Sequence, residues 1–276
     1  MNNQAKGLQR NILEKFYTKN SIVEMCIYLF KQYISIDNNS VIIEPSAGNG
    51  AFIPSIKSLT NNYLFYDIFP ENSEIVTQDY LEINSESIKN IYKNNKIHIL
   101  GNPPFGRQSS LAIKFIKKSA EFCDSISFIL PKSFKKESLK NKIPMNFHNI
   151  LEIDLPFNSF LVNEKEHDVP CIFQIWEKKD IEREIIQNEI PLHFKFVKKN
   201  ENPDISFRRV GVNAGKIDIN ILDKSEQSHY FIKFIKNTVE ENITKLDNLH
   251  FDFNNTVGPK SISKPEVVLQ FNVLLS

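Results

Sequence analysis

The chain has 276 residues, of which 41% are hydrophobic and 24% charged, and its formal net charge is +1. This composition excludes a disordered chain, and no apolar run approaches the roughly 18 residues of a membrane span. The N-terminal segment has neither an apolar signal core nor an Arg-rich presequence, so we expect a soluble, intracellular protein. The three cysteines, Cys26, Cys123 and Cys171, form no CxxC pair, which predicts buried, reduced thiols and no metal site.

Predicted strands and helices alternate along the first two thirds of the chain. A helix is expected to begin near Ser21, because Ser21 and Glu24 have the spacing of a capping box. Apolar runs predict strands at residues 41–43, 63–68, just before 79, 97–100, 126–130, 150–155 and 169–176. Residues 52–59 and 111–122 have helical patterning. The alternation predicts an α/β fold with a mostly parallel sheet and ligand sites after the strand ends.

From about Asn188 the pattern changes to short mixed segments, including glycine-containing stretches at residues 211–215 and 258–261. We therefore expect an α/β domain at residues 1–187 and a small α+β appendage at residues 188–276. A local excess of lysines lies in the first domain, at Lys114, Lys117, Lys118, Lys132, Lys135, Lys136, Lys140 and Lys142. Such a run is either a nucleic-acid contact or a solvated helical face.

A glycine-containing turn, Glu44-Pro45-Ser46-Ala47-Gly48-Asn49-Gly50, follows the first of these strands. Its glycines let the backbone approach a ligand closely. It lacks the Gly-Lys-Ser/Thr of a Walker loop and the third glycine of a dinucleotide fingerprint, so phosphate is not implied. Glu44, Asp67 and Asp79 each lie at or just after a predicted strand end. Three carboxylates at one sheet edge suit a cationic ligand that carries amino and hydroxyl groups.

In chain order, Phe16-Tyr17-Thr18, the glycine turn, Asp67, Asp79-Tyr80 and Asn102-Pro103-Pro104-Phe105 resemble the motifs of N6-adenine DNA methyltransferases. The resemblance spans about residues 16–176 and implies a Rossmann-like sheet with an antiparallel final hairpin. It implies S-adenosylmethionine as the cofactor, with its methionine part held by Tyr17, Thr18, Glu44, Ser46, Ala47, Gly48 and Gly50. Asp67 would accept from the ribose hydroxyls and Asp79 from the adenine amino group, with Tyr80 against the ring. Proline is usual after Thr18 in this motif, whereas Lys19 stands here.

The segment from Asn102 to Phe105 suits methylation of an exocyclic amine, whose lone pair is delocalised into the ring. The Asn102 side-chain oxygen and the Pro103 carbonyl can each accept one N–H, which localises the lone pair and stabilises developing positive charge. Pro103 and Pro104 fix the backbone so that these carbonyls point outward. Phe105 offers an aromatic face to a base. The alternative is a strand end followed by a Pro-Pro turn that carries a core phenylalanine.

A base in a duplex reaches such a pocket only after base flipping, which requires a second wall. Phe157 and Phe160 are the candidates, and Phe160 is favoured, although a core position is the bland alternative for either ring. Arg107 lies at the expected pocket mouth and can contact phosphate. Arg208, Arg209 and Lys260 of the C-terminal segment can help to recognise a target.

We therefore expect a nucleic-acid partner, with DNA favoured over RNA. Similar motifs also occur in enzymes that methylate guanine N2 of ribosomal RNA and in enzymes that methylate a protein glutamine. An RNA adenine target and a catalytically silent subunit that binds cofactor or nucleic acid also remain open. The oligomeric state does not follow from the sequence.

Overall fold

Strands that are apolar on both faces form the centre of this fold, as expected for a parallel sheet covered by helices on both sides. In the computed structural model, Val41–Glu44 and Ile97–Gly101 are buried at every position. The structure describes residues 16–185, 189–251, 253 and 259–276. The predicted boundary near Asn188 and Gly258 of the predicted C-terminal turn lie outside these residues. The chain divides into two compact units, Met1–Ile185 and Ile186–Ser276.

The first unit contains ten strands and five helices within its described part. The strands are β1 (Tyr17–Thr18), β2 (Val41–Glu44), β3 (Asn62–Asp67), β4 (Val76–Thr77), β5 (Ile97–Gly101), β6 (Ser125–Pro131), β7 (Phe147–Asp154), β8 (Phe160–Val162), β9 (Lys165–His167) and β10 (Cys171–Lys178). The helices are α1 (Asn20–Tyr33), α2 (Ile53–Lys57), α3 (Ser85–Ile91), α4 (Ser110–Ala120) and α5 (Glu137–Lys140). Every strand and helix predicted for this unit is present, with small shifts at the ends.

Seven of these strands form one sheet in the order β4-β3-β2-β5-β6-β10-β7. The strands from β4 to β6 are parallel, and β10 is antiparallel to both β6 and β7. The predicted Rossmann-like sheet with an antiparallel final hairpin is therefore confirmed. The strand order reverses between β2 and β5, and in open α/β sheets ligands bind in the crevice at such a point. The separate sheet β1-β8-β9 is antiparallel.

Helices cover both faces of the seven-stranded sheet. On one face, Phe115 and Ile116 of α4 belong to the same buried cluster as Ile43 of β2 and Ile99 of β5. On the other face, Phe30 of α1 packs edge-on against His98 of β5. This burial on both faces fixes the strand register, and with it the positions of the residues that follow the strand ends.

The start of α1 differs from the sequence-based expectation. Lys19 is its N-cap residue and no side chain caps the helix, so the capping box predicted at Ser21 and Glu24 is wrong. The cause is tertiary. Because β1 pairs with β8 and the Lys19 N–H donates to the Ser159 carbonyl (3.1 Å), the chain turns into the helix at Lys19. Ser21 already lies in the first turn.

The second unit is an antiparallel sheet packed against helices, which confirms the predicted α+β appendage. Its described elements are β11 (Phe194–Val197), β12 (Ile205–Arg208), β13 (Ile217–Asp218), β14 (His229–Phe234), α6 (Val239–Lys245) and α7 (Lys264–Leu274), with the strand order β11-β14-β12-β13. Phe194, Phe207 and Phe271 are buried together in its core. Within the described part of the chain, no helix has both the length and the apolarity to cross a membrane.

Candidate active site

Residues from three neighbouring strands meet at one edge of the seven-stranded sheet. Glu44 ends β2, Asp67 ends β3 and Asn102 directly follows β5. Because these strands are parallel and adjacent, their C-terminal ends lie side by side. The Ser46 hydroxyl also donates to the Asn102 carbonyl oxygen (3.1 Å), which joins the glycine turn to the Asn-Pro-Pro-Phe segment.

The glycine turn is held by the end of β3. Asp67 accepts the Gly48 N–H on one carboxylate oxygen and the Phe69 N–H on the other, both at 2.8 Å. Gly48 and Gly50 have φ values of 54° and 85°, which favour glycine. A Cβ at Gly50 would also lie 2.8 Å from the Ile53 side chain. Asp67 therefore has a structural role in this turn, and each of its oxygens retains a lone pair for a ligand hydroxyl.

Glu44 is a buried carboxyl group whose Oε2 atom has no hydrogen-bond partner among the described residues. Its side chain lies against Gly101, where a Cβ would be only 3.1 Å from Glu44 Cγ. Burial, and secondarily the charge of Asp67, raises the pKa of Glu44 well above the usual range. A buried acceptor without a donor destabilises the fold, so this position suits a ligand that brings a donor or a positive charge.

The Asn102 carboxamide has a defined orientation. Its Nδ2 group donates to the Phe16 carbonyl (3.2 Å) and to the Thr18 hydroxyl (3.3 Å). A backbone carbonyl accepts and never donates, so Nδ2 rather than Oδ1 must face Phe16. Oδ1 is consequently directed away from Phe16; it is buried and has no partner among the described residues. The site thus contains an amide oxygen that is fixed in place and able to accept a hydrogen bond.

The N-terminal motif is built by pairing with the segment after β7. Thr18 of β1 is opposite Phe160 of β8. The Lys19 N–H donates to the Ser159 carbonyl (3.1 Å), a bond that the usual proline cannot make. Lys19 in place of proline is therefore compatible with this arrangement, and the pairing places the Thr18 hydroxyl beside Asn102.

Two predicted site residues, Tyr80 and Phe160, are buried in the core, and a third, Asp79, is exposed. Tyr80 is only 1% exposed, donates to or accepts from the Ser119 hydroxyl and stacks on Phe115, so its predicted place against a cofactor ring is wrong. Phe160 is fully buried in β8, which pairs with β1, so its predicted role as the second wall is also wrong. Asp79 is exposed and accepts the Leu81 N–H (2.9 Å) at a short helical turn.

Phe105 is 9% exposed, so its ring must be uncovered before a base can stack on it. The Phe105 carbonyl accepts the Leu111 and Ala112 N–H groups at the start of α4, which anchors the end of the Asn-Pro-Pro-Phe segment. Pro103 is buried, and its carbonyl has no hydrogen bond within the described part of the chain. Ala47 is buried and donates its N–H to the Tyr66 carbonyl (2.9 Å).

Phe157, the less favoured of the two predicted candidates for the second wall of the base pocket, is 86% exposed. It lies in a turn where Asn158 has a φ of 56° and Ser159 donates to the Pro156 carbonyl (2.6 Å). This turn follows the C-terminal end of β7. Because β10 is antiparallel to both β6 and β7, that end lies at the same edge of the sheet as the C-terminal ends of β5 and β6, where Asn102 lies. The sequence signal is turn chemistry, because the order Pro-Phe-Asn-Ser predicts a turn and turns lie at the surface.

No motif in the sequence predicts a role for two apolar side chains that follow Asp67. Ile68 and Phe69 directly follow the carboxylate and both are exposed. The sequence feature that indicates a surface role for them is their position, an apolar pair between a strand end and Pro70. These side chains offer an exposed apolar surface beside Asp67, whereas Tyr80 is buried.

Four of the eight lysines in the predicted excess form ion pairs with carboxylates. Lys132 and Lys135 both pair with Asp154, Lys140 pairs with Glu137 and Glu152, and Lys118 pairs with Glu121. The hypothesis that these lysines form a phosphate contact is therefore weakened, because their carboxylate partners compete for them. Arg107 is exposed.

Comparisons with known proteins match part of the chain to methyltransferases. No family model matches the chain. The type II methyltransferases M.HincII and M.HindII of Haemophilus influenzae are each 34% identical over 101 residues, which is 36% of this chain and 18% of theirs. The match thus spans under a fifth of the relatives' length. These two matches confirm the resemblance to methyltransferases that the motifs indicate.

Solved structures with a similar fold include the 23S rRNA methyltransferase ErmE, which is 11% identical, with a TM-score of 0.44 over 61% of this chain and 71% of that one. The N-methyltransferase NodS from Bradyrhizobium japonicum is 9% identical, with a TM-score of 0.40 over 58% of this chain and 96% of that one.

The state of Glu44 predicts an unusual effect on stability. Since burial raises the folded-state pKa of Glu44, the unfolded chain releases this proton at a lower pH, and stability is lost as the pH rises from the ordinary carboxyl pKa toward the raised one. Glu44→Gln should raise the free energy of unfolding at pH 8 by about 1–3 kcal/mol, and the gain should shrink on acidification. Denaturant unfolding at several pH values measures this. Glu24→Gln on the exposed face of α1 is the control, and a Glu44→Gln variant less stable than the wild type at pH 8 would contradict the account.

Proposed function

We propose that this chain transfers a methyl group from S-adenosylmethionine to the N6 amine of adenine in DNA. The observation that carries the proposal is the buried, unpartnered Oδ1 of Asn102, held in place through Nδ2. A fixed acceptor of this kind serves a substrate N–H. It lies at the sheet edge that also contains Glu44 and the glycine turn.

The residues present fit the cofactor. The buried Oε2 of Glu44 is an acceptor without a partner and suits a ligand with a donor group or positive charge. Asp67 retains lone pairs toward hydroxyl groups, and Asp79 is exposed and able to accept from an amino group. Ile68 and Phe69 supply the apolar surface on which the adenine ring can lie. When bound, S-adenosylmethionine would supply a methyl group on a sulfonium sulfur, with the S–C bond as the bond that breaks and a neutral thioether as the leaving group.

Asn102 and Pro103 act on the acceptor amine. The Asn102 Oδ1 atom and the Pro103 carbonyl each accept one N–H, so the nitrogen lone pair points away from both and is free to form the new N–C bond. The two oxygens also stabilise the positive charge that develops on nitrogen, and one N–H proton then passes to water. Because Phe16 and Thr18 already hold Nδ2, little reorganisation opposes this step. No side chain needs to titrate.

Phe157 is the proposed second wall of the base pocket. Its exposed ring lies in a turn that continues into the Ser159 and Phe160 segment paired with β1. An aromatic ring held outward in this way can stack on an extrahelical base, which is worth about 1–3 kcal/mol per base. Arg107, exposed just after Phe105, is available to a phosphate.

The preference for DNA is supported by the motif order and by the two type II methyltransferases that match part of the chain. The test also distinguishes three alternatives: methylation of RNA, methylation of a protein glutamine, and a catalytically silent role in which the chain only binds the cofactor. The experiment incubates the chain with labelled S-adenosylmethionine and unmethylated DNA, RNA or protein. Incorporation into DNA adenine supports the proposal. Cofactor binding without incorporation into any of the three would overturn it.

Removal of the Asn102 carboxamide is the sharpest test of the chemistry. Asn102→Ala should lower the rate of methyl transfer by about 100-fold or more, because one preorganised charge-stabilising contact is lost. Cofactor affinity, measured by calorimetry, should stay unchanged. Asn39→Ala removes an exposed carboxamide just before the start of β2, at the opposite sheet edge, and should transfer at the wild-type rate. Equal rates for the two variants would refute the role of Asn102.

Thr18 is predicted to be a positioning residue that acts through Asn102. Thr18→Val keeps the branched shape but removes the acceptor for Nδ2, so the amide is held only by Phe16. The kcat should fall by about tenfold with the KM for DNA unchanged, as expected for a misplaced catalytic group. Thr18→Ser should restore most of the rate. A Thr18→Val variant with wild-type kcat would show that the hydroxyl does not position Asn102.

Phe157 and Phe160 are predicted to behave oppositely. Phe157→Ala should leave the melting temperature unchanged and lower kcat/KM for duplex DNA by about 5- to 150-fold, the equivalent of one lost stacking contact. Phe160→Ala should lower the free energy of unfolding by about 3–5 kcal/mol, because it opens a cavity in the core. Thermal melts and steady-state kinetics measure both effects. Full activity in Phe157→Ala would assign the second wall to another residue.

A further inference from the structure

A cavity of about 350 Å³ lies in the second unit, far along the chain from the residues discussed above. Arg208, Lys216, Lys224, Ser228 and His229 are among the residues that line it. We refer to it as the basic cavity. The proposed methyl transfer assigns it no role.

The sequence builds the basic cavity at the junction of three strands. Arg208 ends β12 and is opposite His229 at the start of β14. The loop after β12 returns to Arg208, because the Gly215 N–H donates to the Arg208 carbonyl and the Arg208 N–H donates to the Lys216 carbonyl, both at 2.8 Å. Gly211 and Gly215, with φ values of 92° and 97°, allow this tight return.

Arg208 presents a fixed and incompletely used set of donors. Its Nε donates to the Val210 carbonyl (2.9 Å) and its Nη1 to the Ser228 hydroxyl at a long 3.4 Å. Its Nη2 has no acceptor among the described residues. A guanidinium held in this way is preorganised to donate to an anion with a planar arrangement of oxygens.

The acidic residues of the basic cavity are paired with a different cation. Asp218 and Asp223 both contact Lys224, at 2.8 Å and 3.5 Å. Within the described part of the chain, neither Arg208 nor Lys216 has a carboxylate partner. Burial, with the nearby charges of Arg208 and Lys224, lowers the pKa of His229, whose Nδ1 lies 3.1 Å from the Ser225 carbonyl. Three cations, Arg208, Lys216 and Lys224, thus line the cavity with two carboxylates, Asp218 and Asp223, so one positive charge is left uncompensated.

Exposed apolar side chains lie on the loops that frame the basic cavity. Val212 is 87% exposed on the loop after β12, and Leu222 is 89% exposed on the loop after β13. A site for a free phosphate ion gains nothing from such side chains. A polymer that offers sugar and base surfaces on either side of each phosphate can cover them, because its phosphates and apolar faces alternate.

We propose that the basic cavity binds a backbone phosphate of the DNA that is methylated, with Arg208 and Lys216 as donors and Val212 and Leu222 against the adjoining sugars or bases. This inference rests on the proposed function, since it takes DNA as the methyl acceptor. It assigns the second unit a direct part in holding the substrate.

The test measures binding of the full chain to an unmethylated DNA duplex by fluorescence anisotropy over a range of NaCl concentrations. Lys216→Ala should weaken binding and lower the slope of log K against log salt by about 0.9, the value for one phosphate contact. Val212→Ser should weaken binding with the salt slope unchanged. Lys195→Ala, an exposed lysine of β11 at the opposite edge of the sheet, is the matched control and should change neither quantity.

Other outcomes would overturn the inference. Wild-type binding by Lys216→Ala, or no DNA binding by the wild type, removes the basic cavity from DNA recognition. Calorimetry with inorganic phosphate provides the other arm, because phosphate binding that depends on Lys216 without an effect on DNA would assign the cavity to the free ion. Preferential, Lys216-dependent binding of RNA would also contradict it. Methyl transfer by the wild type is assayed in parallel. If the wild type methylates DNA and Lys216→Ala binds DNA normally, the role of the basic cavity is refuted while the proposed function stands.

Discussion

The orientation of one carboxamide, that of Asn102, is the constraint on which the rest of the site depends. Its Nδ2 group must face the Phe16 carbonyl, because a carbonyl accepts hydrogen bonds and cannot donate them. Oδ1 is thereby left as a buried acceptor without a partner among the described residues. The pairing of β1 with β8 and the Lys19 bond to Ser159 keep Phe16 and Thr18 in place. The small sheet thus serves to orient a single side chain of the large one.

This arrangement lowers the free energy of unfolding, and it leaves acceptor atoms available to ligands. Glu44 and Asn102 each bury a polar atom that has no hydrogen bond within the described part of the chain, and each such atom costs about 1–3 kcal/mol. The apolar strands β2 and β5 that carry these residues are buried along their whole length, which offsets the cost. Ligands that donate to these two atoms recover the cost. Unsatisfied polar atoms that follow adjacent strand ends are therefore expected of a binding site rather than of a core.

Most of the fold follows from the sequence, because apolar periodicity and the order of the glycine turn, acidic residues and Asn-Pro-Pro-Phe are local features. The errors have tertiary causes. The capping box at Ser21 failed because β-pairing starts α1 at Lys19, whereas the same spacing at Thr238 and Glu241 does form a capping box. Tyr80 and Phe160 were assigned to ligands because burial of an aromatic ring is not visible in one sequence. The hydrogen bonds that orient the Asn102 amide and the Arg208 guanidinium join residues distant in the chain, and no motif encodes them.

A crystal structure of the chain with a non-reactive cofactor analogue and an adenine-containing DNA duplex tests the central claim most directly. The account predicts an extrahelical adenine whose N6 atom lies within about 3.2 Å of Asn102 Oδ1, while Nδ2 still faces the Phe16 carbonyl. An Asn102 amide turned so that Nδ2 faces the base, or a bound duplex whose adenine does not approach Asn102, would contradict it.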